Sequence, residues 1–173
     1  LSERKLPINV GIGINSGPCV VGNMGSAQRF DYSCLGDAVN LASRLEGQTK
    51  DYGVTLIVGE TVAINSADAF DFVELDFVAV KGKTEGVRIF TIAGEKHLGK
   101  DADEFKTRSL KHQRYLRFYR AQDWDLASKV SEELQIEWPE LSEFYRLMSE
   151  RIEVLRGESL PSDWDGVYRA ISK

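Results

Sequence analysis

Two cysteines, two histidines and four prolines are all that the 173 residues hold of these types, and the scarcity removes whole classes of function. Cys19 and Cys34 stand far apart, with neither a Cys-x-x-Cys pair nor a clustered histidine beside them. Neither a zinc site nor a disulfide framework is indicated, and a reduced, cytoplasmic setting fits. His97 and His112 have no acidic or thiol partners at ligand spacing, so both read as surface histidines. There is no run of about 18 apolar residues that could span a bilayer, and no basic-then-apolar signal segment opens the chain. Positive charge is short as well: 22 Lys and Arg face 27 Asp and Glu, for a net charge of −5. The cations are interleaved with acids, which argues against a nucleic-acid partner, because phosphate neutralisation needs them clustered. What is present is an ordinary soluble, folding balance of 42% apolar and 28% charged residues, with length enough for one core and an appendage. The chain opens on Leu1 rather than Met, close ahead of a strong strand signal, and so reads as a piece of a longer protein.

The segment Ile8-Asn9-Val10-Gly11-Ile12-Gly13-Ile14-Asn15 alternates apolar with small or polar side chains, the period of a half-buried strand. Ser16-Gly17-Pro18 then reads as a turn, and Cys19-Val20-Val21-Gly22 as the return strand of a hairpin. Another strand is expected over 29–35. Residues 37–52 hold the clearest helical signal of the first half, with Asp37 as N-cap, Ala38, Leu41, Ala42 and Leu45 at helical spacing, and Gly53 as the stop. A short buried strand over 54–58, a short helix over 60–65 and strands over 72–80 and 87–92 follow. Strands mixed with helices in this way predict an α+β fold, a sheet covered by helices.

After Gly94 the character changes. Residues 95–104 read as a polar linker and 105–173 as a helical extension. Its helices are marked by Phe105, Tyr115, Leu116 and Tyr119, then by Trp124, Ala127, Val130 and Leu134, then by Tyr145, Met148, Ile152 and Leu155, the last opening near Pro139. The stretch from Tyr119 to Ala127 resembles the helix-turn-helix of a tetratricopeptide repeat. A stacked array needs about three repeats at a fixed period; without them, a helical hairpin packed on the sheet is the expectation.

Two phosphate-loop patterns fail on inspection. The glycine after Gly11-Ile12-Gly13 is Gly17, one position late for GxGxxG, and Pro18 with a strand follows in place of a helix. Gly82-Lys83-Thr84 lacks the upstream glycine of a P-loop, since Phe77 stands there. Asn40 and Arg44 are different. Four residues apart on the expected helix, they share one face, opposite the stripe of Ala38, Leu41, Ala42 and Leu45. Alone, an outward Asn and Arg describe a solvated helix face.

The surrounding string gives them a meaning. Gly36-Asp37-Ala38-Val39-Asn40-Leu41-Ala42-Ser43-Arg44-Leu45-Glu46 closely resembles the signature helix of class III adenylate and guanylate cyclases. The resemblance continues through Gly11-Ile12-Gly13-Ile14-Asn15-Ser16-Gly17, Val20-Val21-Gly22-Asn23-Met24-Gly25, Arg29-Phe30-Asp31-Tyr32 and Val80-Lys81-Gly82-Lys83, over about residues 6 to 93 in order. It implies a partial ferredoxin-like cyclase sheet over 1–94. It also implies an intramolecular reaction in which the ribose 3′-hydroxyl of a nucleoside triphosphate attacks the α-phosphorus and pyrophosphate leaves. Asn40 would hold the ribose for in-line attack, Arg44 the α-phosphoryl oxygens as charge grows on them, and Lys81 the terminal phosphates. Base selection falls three positions before the signature glycine, on Ser33, where Ser indicates ATP; the neighbouring Cys34 is the type found in guanylate cyclases.

Other expectations follow from the same resemblance. Two carboxylates that hold two Mg²⁺ or Mn²⁺ ions, and a lysine that helps select the base, lie upstream of Leu1 in the family's order, so this chain by itself binds no metal. Asp31 and Asp37 are no substitutes by position. Active sites form between subunits of a head-to-tail dimer, which makes a homodimer with ATP as substrate the expected state of the intact protein. The strings around Trp124 and Trp164 resemble extensions found after the cyclase domain in some bacterial membrane-anchored cyclases with an extracellular sensor. The expected function is therefore an adenylate cyclase acting in intracellular signalling. A guanylate cyclase, a degenerate cyclase half used for regulation or dimerisation, and a helical interaction module are the alternatives.

Overall fold

Gly13 governs how the first half of the chain packs. The computed structural model describes residues 9–26, 29–79, 86–161, 164, 166 and 167. Strand β1 (Ile12–Ile14) lies so close to helix α1 (Asp37–Gln48) that a Cβ on Gly13 would run into the Ala42 carbonyl and the Glu46 backbone nitrogen. Small residues in the first strand are thus the condition for laying a helix flat on it.

β1 pairs in parallel with β4 (Leu56–Gly59), Ile12 opposite Leu56 and Ile14 opposite Val58. A parallel pair needs a crossover connection, and α1 supplies it. Helix α2 (Glu60–Asn65) leads into β5 (Phe70–Ala79), which pairs antiparallel with β6 (Gly86–Glu95). The sheet order is β1-β4-β6-β5. The return strand expected after Ser16-Gly17-Pro18 does not pair with β1. Instead β2 (Val20–Ser26) and β3 (Arg29–Leu35) form a separate antiparallel hairpin, Val20 opposite Leu35. A local turn signal lost to a non-local partner: β1's described pairing edge belongs to β4.

The extension is a bundle of α3 (Lys100–Arg120), α4 (Trp124–Glu137) and α5 (Ser142–Arg156), with a 3₁₀ turn at Pro139–Leu141 opening the last. α3 begins inside the stretch read as a linker. There Gly99 permits the positive φ of 60° that turns the chain into the helix, and Asp101 and Asp103 favour its N-terminus. Just before it, Asp71 on β5 accepts from the His97 backbone N–H at 2.8 Å and contacts Lys96 Nζ at 2.9 Å, so the connection is tied to the sheet.

Sheet and bundle share one core. Leu45, Ile57, Leu75 and Ile89 from the first half pack with Tyr115, Tyr119, Phe144 and Ile152 from the second, all buried. At about 1.5–3 kcal/mol for each large apolar side chain buried, this shared core ties the extension to the sheet. Two tryptophans meet here as well: the Trp124 and Trp164 rings lie 5.8 Å apart, and each is 5.8 Å from Tyr119.

His112 corrects an expectation. It is buried, not on the surface. Its Nε2–H donates to the Glu74 carbonyl at 2.6 Å, which leaves Nδ1 to accept from the Tyr145 hydroxyl at 2.9 Å. One bond reaches the sheet and the other α5, and burial holds the imidazole pKa down to about 4. His97 is half-buried and paired with Asp71. Cys19 and Cys34 are free and exposed. Among the described residues, no helix is long and apolar enough to cross a membrane.

Candidate active site

α1 is anchored along one face. Leu45 is fully buried, and Ala38, Leu41 and Ala42 are half-buried against β1 and the core, while Asn40 and Arg44 are exposed on the opposite side. The helical period alone produces this division. It leaves an amide and a guanidinium one turn apart on a rigid, outward surface, the geometry needed to hold two parts of one ligand.

Both ends of the helix are fixed by specific contacts. The cap is Gly36, not Asp37, which is the first helical residue and whose carboxylate complements the dipole. A Cβ on Gly36 would sit 2.9 Å from the Pro18 carbonyl, so the chain passes here only without a side chain. The Asn15 side-chain amide donates to the Ala38 carbonyl at 3.1 Å and ties the end of β1 to the helix's first turn. Gly59, whose Cβ would collide with Asn15 Oδ1, leaves room for that side chain.

At the other end the helix stops at Gln48, short of the expected 52. The Thr49 hydroxyl donates to the Glu46 carbonyl at 2.7 Å, and Gly53 takes a left-handed φ of 62°. Tyr52, just beyond, is buried and donates to Asp76 Oδ2 at 2.7 Å; the same oxygen accepts from Arg151 Nη1 at 2.7 Å. The sequence does not single this trio out: β5 carries three acids, Asp71, Glu74 and Asp76, and nothing local marks Asp76 as the one that is fully buried.

Ser33 lies half-buried on β3 opposite Gly22, and Cys34, exposed, opposite Val21. Neighbours on a strand face opposite sides, so only one of them can serve a given face. β3 passes into α1 through Gly36 alone, which puts Ser33, Asn40 and Arg44 on two consecutive elements. Lys81 lies outside the described residues. Asp31 is exposed on β3 and Asp37 on α1. Among the described residues, no three acidic, His or Cys side chains come together to hold a metal ion. They do not fit a two-metal centre, and the chemistry open to them is positional and electrostatic.

Known proteins match about half of the chain. It is 43% identical over 88 residues to an adenylate cyclase of Anabaena cylindrica, an alignment covering 49% of this chain and 18% of that protein. It is 38% identical over 82 residues to adenylate cyclase 1 of Rhizobium meliloti, covering 47% of this chain and 12% of that one. The chain therefore spans less than a fifth of the length of these relatives. Against the crystal structure of the adenylyl cyclase CyaB from P. aeruginosa the identity is 32%, with 51% of this chain and 43% of that chain covered at a TM-score of 0.40. The sequence model of the adenylate and guanylate cyclase catalytic domain matches residues 1–94, and the chain belongs to that family.

Proposed function

We propose that the intact protein is an adenylate cyclase that converts ATP to cyclic AMP and pyrophosphate, and that this chain carries the half of its active site that orients the ribose and stabilises the transition state. The observation that carries the reading is the placement of Asn40 and Arg44, exposed together on α1 while the helix's other face is locked into the core.

The chemistry follows from what each side chain can do. The ribose 3′-oxygen releases its proton to solvent and bonds to the α-phosphorus as the bond from that phosphorus to the bridging oxygen of the β-phosphate breaks, its electron pair leaving with pyrophosphate. The Asn40 amide can hydrogen-bond the ribose and hold the 3′-oxygen in line with the leaving group, and orientation of this kind lowers barriers by several kcal/mol. The Arg44 guanidinium is a planar, permanently charged fork suited to the equatorial phosphoryl oxygens, where charge accumulates in the transition state. Lys81 neutralises the departing pyrophosphate. Ser33 meets the adenine edge, since a hydroxyl both donates and accepts. In the intact enzyme, a head-to-tail homodimer, two Mg²⁺ or Mn²⁺ ions would be held by carboxylates outside the described residues and would supply activation of the hydroxyl and charge neutralisation.

The test is product formation by the intact protein with Mg²⁺ or Mn²⁺. The expected result is cyclic AMP and pyrophosphate in equal amounts from ATP. No cyclic nucleotide from either ATP or GTP sinks the reading, and cyclic GMP as the main product replaces it with a guanylate cyclase.

A further inference from the structure

The turn that follows α1 is gripped by the last helix of the extension. The Tyr52 ring stacks on Phe144 of α5, with centroids 6.5 Å apart and planes 21° from parallel. The Arg151 guanidinium carbon lies 4.9 Å from the centre of the same ring. Where Gly53 turns the chain, a Cβ would come within 2.6 Å of Glu143 Cγ and 3.0 Å of Leu147 Cδ1, so α5 is packed directly on the backbone there. Asp76 is fully buried between them. Its Oδ2 accepts from both Tyr52 and Arg151, and its Oδ1 accepts from the Phe77 N–H at 2.8 Å.

Burial pushes the Asp76 carboxyl above its ordinary pKa, and Arg151, the Tyr52 hydroxyl and the Phe77 N–H pull it back. A buried charge pair of this kind contributes little net stability compared with apolar side chains of the same shape. What it adds is register: one oxygen atom satisfies two donors from two separate elements only if α5, β5 and the turn after α1 hold a single relative position. Leu45, in the last turn of α1, belongs to the same core cluster as Tyr52, Phe144 and Ile152. Arg44 is its neighbour in sequence. β1 sets α1 through Asn15 at its first turn and through Gly13 at Ala42 and Glu46, and α5 holds the turn into which the helix runs.

We propose that α5 is a built-in positioning element for the phosphate-binding helix, and that Tyr52, Asp76 and Arg151 are positioning residues that fix where Arg44 meets the α-phosphoryl group. The helical extension is then part of the catalytic apparatus and not a separate interaction module. The inference rests on the adenylate cyclase reading of α1.

The experiment uses the intact protein with ATP and Mg²⁺ or Mn²⁺, and compares Tyr52→Phe, Arg151→Met, Arg151→Lys and, as a reference, Arg44→Ala. kcat, KM and the melting temperature are measured for each, with activity assayed well below the melting transition. Tyr52→Phe keeps the ring on Phe144 and loses only the hydroxyl. It is expected to lower kcat by about tenfold while KM stays within about twofold, because sub-ångström misplacement acts on orientation more than on ground-state binding. Arg151→Lys, which keeps a cation beside Asp76, should lose less than Arg151→Met. If Arg151→Met does not fold, Tyr52→Phe decides alone. A folded Tyr52→Phe enzyme with unchanged kcat overturns the proposal even if its melting temperature falls, since that is the signature of a purely structural contact. Unchanged turnover in Arg44→Ala overturns the cyclase reading of α1 itself, whereas a large loss in Arg44→Ala beside none in Tyr52→Phe overturns the positioning role alone.

Discussion

The Asn15 side-chain amide donates to the Ala38 carbonyl at 3.1 Å, joining the end of β1 to the first turn of the helix that carries Asn40 and Arg44. Replacing Asn15 with Ala should cost about 0.5–1.5 kcal/mol, the usual net worth of such a bond. Gly13→Ala should cost more, about 1–3 kcal/mol or above, because the added methyl meets helix backbone that cannot rotate away. Urea unfolding of this chain measures both. A Gly13→Ala variant as stable as the parent would show that β1 and α1 are not in close contact.

Burial of His112 has a consequence for pH. The folded state holds its pKa down to about 4, against 6.5 ordinarily, so the unfolded chain takes up a proton that the folded chain refuses. The sign is fixed: stability is whole above about pH 6.5 and is lost as the pH falls from there toward 4. The full loss is about 3 kcal/mol, because holding a pKa one pH unit from its unfolded value is worth about 1.4 kcal/mol. Urea midpoints collected between pH 7 and 4.5 should fall less steeply in His112→Gln than in the unmodified chain. Equal slopes would mean that His112 reaches solvent.

The 173 residues on their own should make no cyclic nucleotide, because among the described residues no carboxylates come together to hold the metal ions of the proposed enzyme. Purified chain incubated with ATP and Mg²⁺ or Mn²⁺ should match a buffer blank. Cyclic AMP above that level would show that these residues hold a complete centre.

Selection of the base is expected to rest on Ser33. In the intact protein kcat/KM should favour ATP over GTP by at least about tenfold, because a buried edge left unpaired costs about 1–3 kcal/mol. Ser33→Cys, together with a change of its lysine partner, should relax or reverse that preference. Equal values for ATP and GTP before any substitution would remove Ser33 from the role.

Much of this could be read from the residues, for reasons that differ along the chain. α1 and α5 carry clear helical stripes, and the bounds of β3 and α2 are set by local alternation and by glycine, so short-range physics specified them. The outward placement of Asn40 and Arg44 follows from the same stripe. The pairing of β2 did not, because Ser16-Gly17-Pro18 looks like a hairpin turn while the identity of β1's neighbour depends on a strand more than forty residues away. His112 was misread through its polarity, although it stands seven residues after Phe105 and seven before Tyr119, on the stripe that α3 buries. The Tyr52–Asp76–Arg151 network joins three distant segments, and Asp76 is one of three acids on β5, so no local signal separates it from Asp71 and Glu74.

Arg44 is expected to act on the transition state, and steady-state kinetics of Arg44→Ala in the intact protein test that role most directly. The contact strengthens as charge develops on the α-phosphoryl oxygens. kcat should therefore fall by about 10²–10³, equivalent to about 2.7–4 kcal/mol, with KM nearly unchanged. An unchanged kcat with only a raised KM would contradict it, and would make Arg44 a residue that binds ATP without taking part in its cyclisation.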